Sequence, residues 1–117
     1  MKILGLTWLG ARAADFDATV RFAEDVLGLS RAFEHEGLVG FGLPDGSLFE
    51  IFAPGVPAGG HPPEGAVGGF EVDDLTAARA ELEAAGIEVG ELHTASGGAW
   101  FYFRAPDGNL YELVGSA

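Results

Sequence analysis

The chain has 117 residues, of which 48% are hydrophobic and 21% are charged, a composition typical of one soluble globular domain. Eighteen acidic residues against six basic ones give a formal net charge of −12, which repels nucleic acid and anionic membranes and attracts cations. The absence of cysteine excludes disulfides and thiolate metal sites. No apolar run approaches the ~20 residues of a membrane span and no signal peptide is recognisable, so we expect a cytoplasmic protein.

The first half of the chain predicts a strand, a helix and three further strands. Residues 14–28 (ADFDATVRFAEDVLG) carry an aspartate at the position of a helix N-cap and a glycine where the helix should stop. Apolar residues recur between these ends at the spacing of one helical face, namely Phe16, Val20, Ala23 and Leu27. The strands expected around this helix are 3–14, 29–35, 38–43 and 47–53.

The second half repeats that pattern after a segment rich in proline and glycine, PGVPAGGHPPEG (54–65), which has the composition of a linker. Residues 73–86 (DDLTAARAELEAAG) match the first helix and carry the apolar face Leu75, Ala78, Leu82 and Ala85. The strands expected here are 66–72, 87–92, 99–105 and 109–115. The sequence therefore predicts a single domain, 1–117, in which two β-α-β-β-β modules, 1–53 and 66–117, are joined by the linker 54–65.

Each module ends in nearly the same nine residues, PDGSLFEIF at 44–52 and PDGNLYELV at 106–114. Both copies place a glutamate, Glu50 or Glu112, in the centre of an apolar strand, where a charge is costly to bury unless something pairs with it. Because side chains alternate along a strand, the connection APDGN (105–109) should pair Tyr102 with Glu112 and Arg104 with Leu110. One sheet face is then purely apolar, while the other mixes aromatic and charged residues.

The same alternation in the first module places Leu38, Gly40 and Gly42 beside Glu50. Glycines leave room next to the carboxylate. A mixed face with such room is typical of a pocket lining.

Two β-α-β-β-β modules that each end in PDGxL, an apolar or aromatic residue and Glu resemble the vicinal oxygen chelate superfamily, which includes glyoxalases, extradiol dioxygenases, fosfomycin-resistance enzymes and bleomycin-resistance proteins. The segments LTWLGARAADFDATVRFAEDVLGL, VGGFEVDDL and APDGNLYEL carry the resemblance, which covers essentially the whole chain. It implies an α+β fold in which the modules form a curved eight-stranded mixed sheet around a cleft, with the helices on the convex side. It also implies a homodimer, with or without exchange of modules between chains.

In metal-dependent members of that superfamily, the ligands come from positions that fall here on Trp8, Glu50, Val67 and Glu112. The resemblance implies a histidine or glutamine at the first position and a histidine at the third, and this chain has neither. Tryptophan offers only an N–H donor and valine offers no polar atom. The chain therefore resembles the metal-free members most, and no cofactor is expected; the alternative is a weak site in which the two glutamates and waters hold a divalent metal. The three histidines are expected to be ordinary surface or turn residues, namely His35, His61 and His93.

Six residues are expected to bind a ligand, namely Trp8, Glu50, Trp100, Tyr102, Arg104 and Glu112. Aromatic faces attract cations, and carboxylates form charge-assisted hydrogen bonds with them, a constellation similar to that of the bleomycin-resistance branch. We therefore predict metal-independent binding of a small aromatic or cationic organic molecule, with drug sequestration as its most concrete form. Neither nucleic acid nor a membrane is expected as a partner.

The sequence leaves open whether the protein is an enzyme. The alternative function is a lyase or isomerase of the glyoxalase type, in which Glu50 and Glu112 are the candidate catalytic acid and base, with or without a divalent metal. Two further interpretations give the glutamates no chemical role: either Arg104 or Arg12 neutralises one of them in an ion pair, or they are relics of a metal-binding ancestor. A regulatory or interaction domain with a vestigial pocket is the third class.

Overall fold

The computed structural model describes residues 1–56 and 65–116. Within these ranges the chain forms two helices, α1 (Phe16–Asp25) and α2 (Leu75–Ala84). The same part of the chain forms nine strands, which in order are β1 (Ile3–Arg12), β2 (Ser30–His35), β3 (Leu38–Gly42), β4 (Leu48–Phe52), β5 (Gly65–Val72), β6 (Glu88–Val89), β7 (His93–Ala95), β8 (Gly98–Arg104) and β9 (Leu110–Ser116). Neither described helix is long and apolar enough to cross a membrane.

Both helices begin at the aspartates that the sequence predicts as N-caps. The carboxylate of Asp15 accepts a hydrogen bond from the backbone N–H of Ala18 at 3.1 Å. The carboxylate of Asp74 accepts the corresponding bond from Ala77 at 3.0 Å. Each bond satisfies one of the N–H groups that a helix leaves without an internal partner at its start.

The ends of the two helices differ. At the end of α2, Gly86 has a φ of +80°, and the next N–H, from Ile87, donates to the carbonyl of Leu82 at 3.0 Å. This is the arrangement in which a left-handed glycine closes a helix. The first helix ends earlier than its apolar stripe predicts, at Asp25, so Leu27 lies beyond it and is 53% exposed.

The strands follow the order β2-β3-β4-β1-β5-β9-β8-β6, and β7 pairs with β8 outside that path. β1 pairs with β4 in parallel, and so does β5 with β9. The pairs β2/β3, β3/β4, β6/β8, β7/β8 and β8/β9 are antiparallel. A parallel pair needs a long crossover between its strands, and in each half the crossover includes the helix. The predicted α+β class and eight-stranded mixed sheet are therefore confirmed.

The strand predicted at 87–92 is wrong in extent, because a hairpin begins at His93. Its turn consists of Ser96 and Gly97, with φ values of +52° and +81°. Two positive φ values in succession are characteristic of the type I′ turn, whose twist matches that of a two-stranded hairpin. β7 therefore pairs with the start of β8, and only Glu88–Val89 remain for β6.

The chain divides into two compact units, which we call the N-terminal unit (Thr7–Val67) and the C-terminal unit (Met1–Leu6 with Gly68–Ala117). Each unit has its own hydrophobic core between its helix and one face of its strands. The core of the N-terminal unit consists of Val20, Ala23, Val39, Phe41 and Ile51. The core of the C-terminal unit consists of Val72, Leu75, Ala78, Ala99, Phe101 and Leu113. The predicted module boundaries stay predictions, and most of the predicted linker lies outside the described residues.

Candidate functional site

Glu50 lies in the middle of β4, on the face of the N-terminal unit that points away from the core. Its neighbours in the chain, Phe49 and Ile51, pack on the core side, and side chains alternate along a strand. Directly opposite Glu50 are Gly10 on β1 and Gly40 on β3. The predicted placement of Gly40 beside this carboxylate is therefore confirmed.

The room that the sequence predicts at Gly40 is nevertheless filled. A Cβ atom added at Gly40 would collide with the ring of Phe33. A bulge in β2 between Arg31 and Phe33 brings Phe33 opposite Gly40, so its ring covers the glycine. Gly40 thus serves close packing of Phe33 and does not leave an open volume.

Trp8 makes the most direct contact with Glu50. Its indole Nε1–H donates a hydrogen bond of 2.5 Å to Glu50 Oε1, and the Trp8 side chain is 8% exposed. Among the described residues, this is the one hydrogen bond that Glu50 accepts. The structure therefore brings together two of the predicted ligand-binding residues in a single polar contact.

Burial raises the pKa of Glu50 above the ordinary glutamate value, because the ionised carboxylate loses water. Two neighbours oppose that shift by stabilising the ionised form: the indole of Trp8 by its hydrogen bond, and His35 by its positive charge when protonated. Burial is the largest of these effects. Glu50 therefore keeps its proton to a higher pH than an exposed glutamate does.

Arg12 does not form the ion pair that the sequence suggested for it. Its Nη1 donates to the carbonyls of Ala53 at 2.7 Å and Val56 at 2.5 Å. Its guanidinium also lies over the ring of Phe52, 5.4 Å from the ring centroid. The positive charge is therefore used to hold the chain just after β4.

The C-terminal unit contains the second glutamate, and the predicted register is confirmed there. Tyr102 on β8 pairs with Glu112 on β9, and Trp100 pairs with Val114. Gly69 of β5 lies on the other side of Glu112. Tyr102 and Glu112 are buried, at 5% and 4% exposed.

Arg104 pairs with Leu110, as predicted, but lies at the exposed end of β8. Its Nη1 donates to the carbonyl of Gly108 at 2.7 Å, in the turn before β9. This contact gives Arg104 a role in the turn. Its predicted role toward a ligand, like that of the other five predicted residues, stays a prediction.

His93 is a residue whose position sequence reasoning missed. The hairpin register places it opposite Trp100, and the two rings stack with centroids 5.7 Å apart and planes at 23°. The ring of Tyr102 lies 6.4 Å from that of His93, tilted by 59°. The dipeptide Ser96-Gly97 is the signal that predicts such a hairpin, since residues of this type favour tight two-residue turns. His61, the third histidine, lies outside the described residues.

The two positions at which the resemblance implies nitrogen ligands supply none. The nitrogen of Trp8 carries a hydrogen that points at Glu50, and an indole nitrogen has no lone pair to offer an ion. Val67, at another of the ligand positions that the resemblance implies, is a buried apolar residue. Within residues 1–56 and 65–116 there is no group of three or more histidine, aspartate or glutamate side chains that could hold an ion. The prediction that Glu50 and Glu112 face one cleft stays a prediction, since the two residues belong to different units.

Comparisons with solved structures give the fold of the whole described chain. The methylmalonyl-CoA epimerase of Mycobacterium tuberculosis is similar with a TM-score of 0.76 and 21% sequence identity, over 98% of this chain and 89% of that chain. The methylmalonyl-CoA epimerase of Streptomyces coelicolor in complex with 2-nitronate-propionyl-CoA gives a TM-score of 0.72 and 22% identity, over 99% of each chain. The Mn(II)-bound glyoxalase of Novosphingobium aromaticivorans gives 0.76 and 25% identity, over 97% of this chain but 39% of that chain.

Among curated proteins, none matches the sequence. The family model of the Glyoxalase/Bleomycin resistance protein/Dioxygenase superfamily, in contrast, matches residues 5–113. Since this match extends over nearly the whole chain and the fold agrees with it, the protein belongs to the Glyoxalase/Bleomycin resistance protein/Dioxygenase superfamily.

Proposed function

We propose that this protein binds a small organic cation, aromatic in character, at the Trp8–Glu50 pair and without a resident metal. The observation that carries the proposal is the 2.5 Å hydrogen bond from the Trp8 indole to Glu50 Oε1. This bond fixes the carboxylate beside an aromatic ring and leaves its second oxygen for a donor group of the ligand. A cation at that oxygen gains a charge-assisted hydrogen bond to the carboxylate.

The partial burial of Glu50 supports a cationic ligand. Burial raises the pKa of Glu50, so the ionised carboxylate is poorly solvated in the ligand-free protein. A bound cation supplies the stabilisation that water does not, and thereby favours the ionised form. Affinity for a cation should therefore rise with pH through the range in which Glu50 loses its proton.

The overall charge favours the same class of ligand. A net charge of −12 attracts small cations toward the surface and repels polyanions such as coenzyme A esters. Sequestration of a basic, planar drug is the most concrete form of the proposed function. It needs no chemical step, only a complex that persists.

The experiment is a calorimetric titration with proflavine, a planar tricyclic aromatic cation. Glu50→Gln removes the charge but keeps an oxygen that accepts the Trp8 hydrogen bond, and we expect it to weaken binding about tenfold to a hundredfold. Glu36→Gln is the matched control, because Glu36 is exposed and the change in net charge is the same. Equal affinities for the two variants would refute the role of Glu50.

A second candidate, an isomerase or epimerase, is favoured by the partial burial of the Glu50 carboxyl group, which raises its pKa and so keeps a proton available for transfer at a higher pH than in an exposed glutamate. In this alternative Glu50 and Glu112 accept and donate the proton. Incubation with methylmalonyl-CoA in deuterated water tests it, since removal and return of the proton α to the thioester carbonyl replaces hydrogen by deuterium. Exchange that Glu50→Gln abolishes would favour the enzyme; exchange no faster than in buffer would exclude it for this substrate.

A further inference from the structure

We infer that His93 and Trp100 together form a stacking surface, here called the aromatic shelf, that binds the planar ring system of an aromatic ligand. The inference rests on the proposed function for the class of ligand, and assigns to the C-terminal unit a recognition element of its own. Neither the repeat nor the resemblance assigns His93 any role.

The position of the shelf follows from the hairpin. The two-residue turn at Ser96 and Gly97 sets the register of β7 against β8, and this register places His93 directly across from Trp100. Directly opposed residues in a hairpin have their side chains on the same sheet face, close enough to interact. The observed centroid distance of 5.7 Å with planes at 23° is an offset stack.

The shelf lies on the opposite sheet face from the core of its unit. That core contains Phe101 and Leu113, whose side chains alternate with those of Trp100 and Tyr102 along the strands. His93 and Trp100 are half-buried, whereas Tyr102, whose ring lies beside that of His93, is 5% exposed. The shelf therefore keeps part of both residues open to solvent.

This combination has the chemistry of a recognition surface for planar rings. Trp100 offers a large aromatic face, and such a face attracts cationic ring systems more strongly than neutral ones. The imidazole of His93 adds a second flat ring and a polar edge that accepts or donates a hydrogen bond. The titratable or charged groups that the strand registers place on this face of the unit are Glu71, Glu88, Tyr102, Arg104 and Glu112. The ligand class that fits is a planar heteroaromatic cation.

The test is the proflavine titration repeated with three variants. His93→Ala removes the ring and should weaken binding about threefold to tenfold, whereas His93→Phe keeps a flat ring and should stay within about twofold of the wild type. Thr94→Ala is the matched control, because Thr94 is exposed and adjacent in β7 with its side chain on the other face. It should leave the affinity unchanged.

The outcomes separate this inference from the proposed function. If Glu50→Gln weakens binding while His93→Ala behaves like Thr94→Ala, the shelf is refuted and the proposed function stands. If wild-type protein does not bind proflavine, the proposed function fails for planar cations and the shelf fails with it. Nuclear Overhauser effects between proflavine and the ring protons of His93 and Trp100 are expected in the complex, and their absence from a saturated complex would also refute the shelf.

Discussion

Replacing Trp8 by phenylalanine isolates the contribution of the indole N–H to Glu50. The substitution keeps an aromatic ring at a position that is 8% exposed but removes the donor of the 2.5 Å hydrogen bond. Glu50 then remains partly buried without the hydrogen bond that it accepts in the described part of the chain. A buried acceptor without a donor costs the desolvation that the hydrogen bond would have offset.

The expected loss of stability follows from the charge of the acceptor. Hydrogen bonds to a charged group contribute about 1.5–3 kcal/mol, and in a domain of this size 1 kcal/mol shifts Tm by about 4 °C. Trp8→Phe should therefore lower Tm by about 6–12 °C at a pH at which Glu50 is ionised. Because the indole stabilises the ionised form, its removal raises the pKa of Glu50 further, so the variant loses more stability as pH rises.

Urea and thermal unfolding at two pH values, one below and one above the pH at which Glu50 loses its proton, measure this loss for both protonation states. Trp100→Phe is the control for shortening an indole, because Trp100 stacks on His93 and no described residue accepts a hydrogen bond from its indole nitrogen. If Trp8→Phe costs no more than Trp100→Phe, or costs the same at both pH values, the hydrogen bond does not stabilise Glu50 as described.

Three further predictions concern single positions. Because the pKa of Glu50 is raised in the folded state, its contribution to stability is present below the pKa of the unfolded chain and is lost as pH rises through the folded pKa. Glu50→Gln should therefore be at least as stable as the wild type near neutral pH and should lose this advantage in acid. Urea unfolding measures both. Gly40→Ala should cost about 1–3 kcal/mol in the same assay, because the added methyl group collides with Phe33. Asp74→Ala should cost about 1 kcal/mol by removing the N-cap of α2, which circular dichroism during thermal unfolding would follow.

Neighbouring residues provide the controls for the last two predictions. At Gly42 an added Cβ meets the Cβ of Ala32 at 3.8 Å, an ordinary contact, so Gly42→Ala should cost clearly less than Gly40→Ala. Asp73 is exposed and is not the cap, so Asp73→Ala should cost less than Asp74→Ala. A reversed order within either pair would contradict the packing or the capping that the structure gives.

Much of the fold was predictable because its signals are local. An aspartate cap and a closing glycine mark both helices, and the structure confirms both caps. The register of β8 against β9 follows from the length of the connection between them and from the alternation of side chains, so Tyr102 was correctly paired with Glu112. Each of these predictions needs only one continuous segment of at most 15 residues, as in 14–28.

The contacts that the sequence did not predict depend on distant segments or on an unrecognised turn. The bond between Trp8 and Glu50 joins β1 to β4, two parallel strands whose register is set by the intervening helix and strands and not by any local pattern. The bulge that places Phe33 over Gly40 adds one residue to β2 and has no distinct signature in the sequence. His93 could have been placed, since Ser96-Gly97 is a turn signal, but the preceding strand was expected to end before it.

The ¹⁵N–¹H resonance of the Trp8 indole tests directly whether Trp8 and Glu50 take part in ligand binding. It is assigned by its loss in Trp8→Phe and followed through two titrations. If Glu50 and Trp8 bind an organic cation without a metal, the resonance should lie downfield in the free protein, as expected for a hydrogen-bonded N–H, and should shift as proflavine saturates the site. Zn²⁺, which is diamagnetic, should leave it unchanged. If the resonance does not shift with proflavine but shifts with one equivalent of Zn²⁺, binding of an organic cation at this pair is contradicted and Glu50 is a metal ligand.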